Sequence, residues 1–161
     1  MPKDLKDFPR PPNDNGRGIV LTHSSGWNGG EQGIDYWIKE LAAMGIKWAK
    51  LFYRAGDSLS ACEKLVAAGI FPVVRILRQD PAPNNTPEPN PGHINNAEEE
   101  TVRRLMKAGV LYFETNNEPN LVAQWKLHAM PSDPVEAAKL VALNWLFDAR
   151  FIKITHRNDR H

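Results

Sequence analysis

The sequence predicts an α/β fold in which four strand–helix units share one parallel sheet. Three stretches have the same construction: the end of an amphipathic helix, then a glycine, then an apolar run of strand length. They read KELAAMGIKWAKLFY, EKLVAAGIFPVVRIL and RRLMKAGVLYFETN, and a fourth apolar run, GIVLTH, precedes the first of them. Strands that alternate with helices imply right-handed crossovers, and therefore a parallel sheet.

Each element follows from its own residues. The elements predicted in chain order are β1 near 18–23, α1 near 34–44, β2 near 46–54, α2 near 58–68, β3 near 70–77, α3 near 97–108 and β4 near 110–118. Gly45, Gly69 and Gly109 each follow a helix and suit a left-handed C-cap. The runs after them are rich in Ile, Val, Phe, Trp and Tyr, which is typical of parallel strands covered on both faces.

A last helix, α4, is predicted to begin near Asp133 and Pro134, because Asp is a good N-cap and Pro suits the first helical turn. It continues through VEAAKLVALNWLFDARF, to about residue 152. The predicted organisation is an extended N-terminal segment at 1–17, four βα units at 18–152 and a polar C-terminal tail at 153–161, which we expect to be solvated or frayed.

Bulk properties exclude several classes of protein. The 161 residues suit one domain, with 42% hydrophobic and 24% charged residues. A net charge of +1 gives no general attraction to nucleic acid. No segment is apolar enough to span a membrane, and the N-terminus lacks the apolar stretch of a signal peptide, so we expect a cytoplasmic location by default. Cys62 is the single cysteine and is expected to be a buried thiol, and the five histidines lack ligand spacing, so no metal or other cofactor is predicted.

The connections between elements divide unequally. Turns from helix to strand are one or two residues long, whereas the connections from strand to helix are long and polar: SSGWNGGEQG, RQDPAPNNTPEPNPGHINN and NLVAQWKLHAMPS. Long loops at the C-terminal ends of parallel strands mark the functional face of an α/β protein.

The run LYFETNNEPN at residues 111–120 places polar side chains on that face. If β4 remains regular, alternate residues from Val110 to Glu118 point the same way. Glu114 would then face the interior in mid-strand, which is unfavourable unless the carboxylate is paired. Arg75 on the neighbouring strand is the candidate partner, and a structural ion pair is favoured over a direct catalytic role.

The segment YFETNNEPN resembles the β4 signature of the large clan of retaining glycoside hydrolases built on the TIM (β/α)8 barrel. In that clan the Glu before Pro is the general acid/base, and the Asn before it holds the 2-hydroxyl of the sugar. The resemblance implies that Glu118 is the acid/base and that Asn117 binds the hydroxyl. It also implies a carbohydrate substrate, and it makes this chain about four of the eight units of the barrel.

Other residues of the same face are candidates for sugar binding. Trp27 could stack on a pyranose ring and Asn28 could bind hydroxyls, or the loop could simply be pinned by a packed Trp. His23 ends β1 and either binds sugar or is a satisfied histidine lining the barrel. Further aromatic or polar residues are candidate walls of the cleft: Tyr53, Arg54, Asp57 and Trp125.

Half of a barrel would lack the nucleophile, which the family carries at the end of the seventh strand. It would also expose an inner sheet face and two sheet edges, so we expect a homodimer, a completing half-barrel partner or marginal stability. A non-catalytic carbohydrate-binding or assembly module is therefore the alternative to an enzyme. A nucleotide-binding domain is disfavoured, because SGWNGGEQG has glycines without the spacing of a phosphate loop.

Overall fold

The computed structural model describes residues 8–21, 33–52, 57–76, 96–115 and 130–158. The chain divides into two compact units. The first comprises Met1–Val74 with Lys107–Phe113, and the second comprises Arg75–Met106 with Glu114–His161.

Strands and helices alternate in the predicted order. They are β1 (Gly18–Leu21), α1 (Ile34–Ala43), β2 (Trp48–Phe52), α2 (Asp57–Ala67), β3 (Phe71–Arg75), α3 (Asn96–Lys107), β4 (Tyr112–Glu114) and α4 (Pro134–Asn158). Among the described residues the strands form one four-stranded sheet with the order β1-β2-β3-β4 and all strands parallel. In the register of the first pair, Gly18 lies opposite Trp48 and Leu21 lies opposite Leu51. The α/β class and the parallel sheet are confirmed.

The three glycines predicted as helix caps have the expected backbone. Gly45, Gly69 and Gly109 have φ values of 69°, 72° and 91°, the left-handed region in which glycine carries no Cβ penalty. After α1, the N–H of Ile46 donates to the carbonyl of Leu41 at 2.9 Å, and the N–H of Gly45 donates to the carbonyl of Ala42 at 3.0 Å. This pair of bonds is a Schellman motif, which ends the helix and turns the chain into the next strand.

Side chains of β2 and β3 alternate between buried and half-buried. On one face Ala49, Leu51 and Val74 are fully buried, and α2 packs against β2 and α1. The other face is only half-buried. The expectation of strands covered on both faces is therefore wrong for these two strands, because complete burial is confined to one side of the sheet.

Several predicted boundaries differ from the structure. Strand β2 begins at Trp48 instead of residue 46, and strand β4 begins at Tyr112 instead of residue 110, with Val110 buried just before it. Helix α4 runs to Asn158, through most of the segment that the sequence assigns to a polar tail. Residues 135–158 contain neither glycine nor proline, so no residue there opposes continuation of the helix.

Within the described residues, no helix is both long enough and apolar enough to cross a bilayer.

Candidate functional site

Most of the residues predicted for the site lie outside the described part of the chain. They are Glu118, Asn117, Trp27, Asn28, His23, Tyr53, Arg54 and Trp125. Asp57 begins α2, but its side chain also lies outside the described set. The geometry of the candidate site is therefore that of Arg75 and Glu114.

Arg75 and Glu114 are brought together by the ends of two adjacent strands. Arg75 is the last residue of β3, and Glu114 is the last residue of β4. The N–H of Ile76, which follows Arg75, donates to the carbonyl of Glu114 at 3.2 Å. This backbone bond fixes the relative register of the two strand ends, so the side chains meet on the same side of the sheet.

The two side chains form an ion pair in which one carboxylate oxygen accepts two N–H groups. Arg75 Nε donates to Glu114 Oε1 at 3.0 Å, and Arg75 Nη2 donates to the same oxygen at 2.5 Å. The side chains are 12% and 28% exposed, so solvent screens their attraction less than it would at the surface. Such a charge-assisted pair holds the carboxylate in one orientation.

This arrangement makes Glu114 a fixed anchor at the point where β4 leads into the segment Asn116–Asn120. The Arg75 guanidinium pairs with the Glu114 carboxylate, which the sequence placed in mid-strand. Arg75 is also the partner that the sequence suggested. Because β3 and β4 are hydrogen-bonded at this point, the anchor is rigid. Chemically, the pair can position the residues that follow Glu114, and it presents a cationic guanidinium at the same edge of the sheet.

The N-terminal ends of the strands have a different construction, which the sequence did not reveal. Trp48, Phe71 and Tyr112 are the first residues of β2, β3 and β4. The ring of Trp48 lies edge-on to both others, with centroid distances of 5.7 Å to Phe71 and 5.4 Å to Tyr112. We call these three residues the aromatic cluster.

The N-terminal segment, residues 8–17, is hydrogen-bonded to the aromatic cluster. Trp48 Nε1 donates to Asp14 Oδ1 at 2.8 Å, and the hydroxyl of Tyr112 donates to the carbonyl of Pro9. Asn15 adds a bond from its Nδ2 to the carbonyl of Gly45 at 2.9 Å. The N-terminal segment, which the sequence predicted only as extended chain, is thus hydrogen-bonded to the turn between α1 and β2 and to strands β2 and β4.

Among the described residues of the first unit, three titrating groups have shifted pKa values. The N–H of Gly16 and the indole N–H of Trp48 hydrogen-bond to Asp14 and lower the pKa of its carboxyl, and Arg10 adds to this. Burial raises the pKa of the Tyr112 hydroxyl. Burial also raises the pKa of the Cys62 thiol to about 12, so this thiol remains protonated near neutral pH.

Cys62 is fully buried in α2, as the sequence predicted, and its protonated thiol is unsuited to nucleophilic catalysis. No group of three or more His, Cys, Asp or Glu side chains within the described ranges is arranged to hold a metal ion.

Comparison with family models, curated proteins and solved structures found no match to this chain.

Proposed function

We propose that this chain is a glycoside hydrolase-like protein that consists of about four of the eight units of a TIM (β/α)8 barrel. Its reaction is the retaining hydrolysis of O-glycosidic bonds in a poly- or oligosaccharide, with Glu118 as general acid/base. One observation carries the proposal: the run LYFETNNEPN continues from the C-terminal end of β4 in an all-parallel sheet. Catalytic groups of parallel α/β enzymes are mounted at that end of the strands.

Two contacts of the described residues support this assignment. The ion pair of Arg75 and Glu114 holds the end of β4, three and four residues before Asn117 and Glu118 in the sequence, so it fixes the point at which the chain leaves that strand. At the N-terminal ends of β2, β3 and β4, the aromatic cluster is hydrogen-bonded to the N-terminal segment. We therefore propose that the C-terminal end is the face for ligand.

The proposed chemistry has two steps. First, Glu118 donates its proton to the glycosidic oxygen while a second carboxylate attacks the anomeric carbon, so the bond to the leaving sugar breaks as a glycosyl ester forms. Second, Glu118 takes a proton from water, whose oxygen attacks the anomeric carbon and releases the second carboxylate. Asn117 would hydrogen-bond the 2-hydroxyl and stabilise the oxocarbenium-like transition states.

The second carboxylate must lie about 5 Å from Glu118. The resemblance assigns it to the seventh strand of the barrel, and the acids Glu98, Glu99 and Glu100 belong instead to α3. We therefore propose that this chain supplies the acid/base part of the site and that turnover requires a partner that supplies the nucleophile. The same consideration favours a second candidate function, a carbohydrate-binding module without turnover.

Hydrolysis of a panel of alkyl and 4-nitrophenyl glycosides tests the enzyme. An alkoxide leaving group must be protonated, whereas 4-nitrophenolate leaves without protonation. Glu118→Gln should therefore slow the cleavage of alkyl glycosides strongly, and it should slow the first step on 4-nitrophenyl glycosides, formation of the glycosyl ester, much less. The expected loss on alkyl glycosides is about 10²–10⁴-fold. Glu100→Gln, at an exposed position of α3, is the matched control and should leave rates unchanged.

Binding of the same sugars, measured by calorimetry, separates the two candidates. Binding that Asn117→Ala weakens, without hydrolysis by the parent chain, supports the module and removes turnover by this chain on its own. If the parent neither hydrolyses nor binds any sugar of the panel, both proposals are wrong.

A further inference from the structure

Helix α4 turns polar side chains inward and large apolar side chains outward. Asn144 and Asp148 are only 1% and 3% exposed, whereas Leu143 and Phe147 are each 42% exposed. A helix at the surface of a globular protein normally has the opposite pattern, with its apolar stripe facing the core. The outward face of α4 therefore holds apolar surface that remains exposed beside the described residues.

The exposed apolar residues are neighbours on the helix. Leu143, Leu146 and Phe147 are spaced i, i+3, i+4, so their side chains form one continuous patch. Val135, also exposed, lies eight residues before Leu143 and extends the same stripe toward the start of the helix. Contiguous apolar patches on a monomer mark interaction sites more often than single exposed residues do. We call this stripe, from Val135 to Phe147, the outer face of α4.

Charges on the outer face are arranged with opposite signs toward its two ends. Glu136 lies seven residues before Leu143, and Arg150 lies seven residues after it, which is two helical turns in each direction. Both side chains are exposed. Lys153, ten residues after Leu143, lies about 80° around the helix from it and so flanks the outer face instead of belonging to it. The charge pattern is thus complementary to itself when it is reversed about Leu143.

From this pattern we infer that the outer face of α4 binds a second copy of the chain, with the two α4 helices antiparallel and a two-fold axis at Leu143. Glu136 of each copy then faces Arg150 of the other. Lys139 lies four residues before the axis and Phe147 four residues after it, so the ammonium group of Lys139 meets the partner's aromatic ring. An interface of this kind is isologous and closes as a dimer.

The pairing is specific to an antiparallel partner of the same sequence. In a parallel arrangement the acidic N-terminal turns would lie side by side, as would the basic residues near the other ends, and like charges would repel. The antiparallel arrangement also opposes the two helix macrodipoles favourably. It does not depend on the proposed glycosidase activity, because all residues involved belong to α4 or to its N-cap.

Sedimentation velocity over a concentration series tests the inference with the full chain. We expect the parent to associate to twice its chain mass of 18.1 kDa. Leu143→Glu should raise the dissociation constant at least about tenfold, because it places two carboxylates at the axis. Ala138→Glu adds the same charge at an exposed position of α4 off the outer face, and should leave association unchanged. Far-UV circular dichroism checks that both variants are folded.

A charge exchange tests the register independently of the apolar contacts. Glu136→Arg and Arg150→Glu should each weaken the dimer, because each places like charges opposite one another. The double variant should restore association to near the parent value, since every pair is again of opposite sign. A parent that stays monomeric, a dimer that survives Leu143→Glu, or a double variant that associates no better than the single variants would each overturn the inference.

Discussion

At the N-terminal ends of β2, β3 and β4 the contacts are aromatic and reach a distant segment of the chain, whereas at the C-terminal ends of β3 and β4 they are ionic and join adjacent strands. Trp48 and Tyr112 bind Asp14 and Pro9 of the N-terminal segment. Arg75 and Glu114 bind one another. Under the proposed function this difference separates stability from function, because the aromatic end stabilises the fold while the ionic end supports the ligand face.

The strongest test of this separation is removal of the central ring of the aromatic cluster. Trp48→Ala deletes both edge-on ring contacts and the bond to Asp14, so the free energy of unfolding should fall by about 3 kcal/mol. Trp145→Ala removes an exposed indole from α4 and should lower it by less than about 0.5 kcal/mol. Urea denaturation followed by circular dichroism measures both. Equal losses for the two variants would show that the cluster has no special role.

Gly109, which precedes β4, provides a second test of the N-terminal ends of the strands. Its φ is 91°, and an added Cβ would lie 2.9 Å from Cγ1 of Val66. Gly109→Ala therefore combines backbone strain with a clash and should destabilise the fold by about 2 kcal/mol. Gly69 has a φ of 72° and nothing within 4 Å of its added Cβ, so Gly69→Ala should cost only about 1 kcal/mol. Thermal unfolding measures both variants, and we expect Gly69→Ala to lower the unfolding midpoint less than Gly109→Ala does. The reverse order would contradict this prediction.

At the C-terminal end, Glu114→Gln removes the charge of the pair while keeping its shape. Because Arg75 is only 12% exposed, its guanidinium loses a charged acceptor in a poorly solvated place, and stability should fall by about 1–2 kcal/mol. Arg103 and Glu99 form a pair with the same 2.5 Å distance within one turn of α3, and both are more exposed. Glu99→Gln should therefore lower stability by less than about 0.5 kcal/mol.

Measurement of Arg75→Met, Glu114→Gln and their combination in a double-mutant cycle isolates the coupling of the pair. A coupling no larger than that of the pair in α3 would mean that the strand-end pair does not anchor β4. The proposed function would then lose one of its two structural supports, while the denaturation of Trp48→Ala would be unaffected.

The order of elements was predictable because it depends on local patterns. Helical spacing, the glycines at 45, 69 and 109 and the apolar runs after them are all visible within a few residues. The buried thiol of Cys62 followed from its place in an amphipathic helix. The end of α4 was misplaced, because polar composition near residue 153 suggested a tail although no helix-breaking residue stands there.

Contacts between distant residues were less accessible from the sequence. Arg75 could be proposed for Glu114 because both end neighbouring strands of a predicted sheet. The bonds from Trp48 to Asp14 and from Tyr112 to Pro9 span 34 and 103 residues and involve irregular backbone, for which no periodic pattern exists. The same reason hid the outer face of α4, since apolar spacing alone does not tell which face of a helix is turned inward.

Acid should weaken the aromatic end through Asp14, which is the smallest of the expected effects. The bonds from Gly16 and Trp48 lower the pKa of this carboxyl below its ordinary value. Its contribution to stability is therefore complete above the pKa of the unfolded chain and is lost as pH falls through the lower pKa of the folded state. Asp14→Asn should abolish this part of the acid dependence.

Asn15→Ala is the control for that effect. This variant removes the hydrogen bonds of the Asn15 side chain to the carbonyl of Gly45 and to the N–H of Arg17, and it leaves every titrating group in place. The free energy of unfolding of this variant should be lower at every pH and should change with pH as the parent's does. Urea denaturation between pH 6 and pH 2.5 or so compares the three proteins, in the range where carboxylates titrate. If Asp14→Asn kept the slope of the parent below pH 4 or so, the carboxyl of Asp14 would not be part of what holds the N-terminal segment to the aromatic cluster.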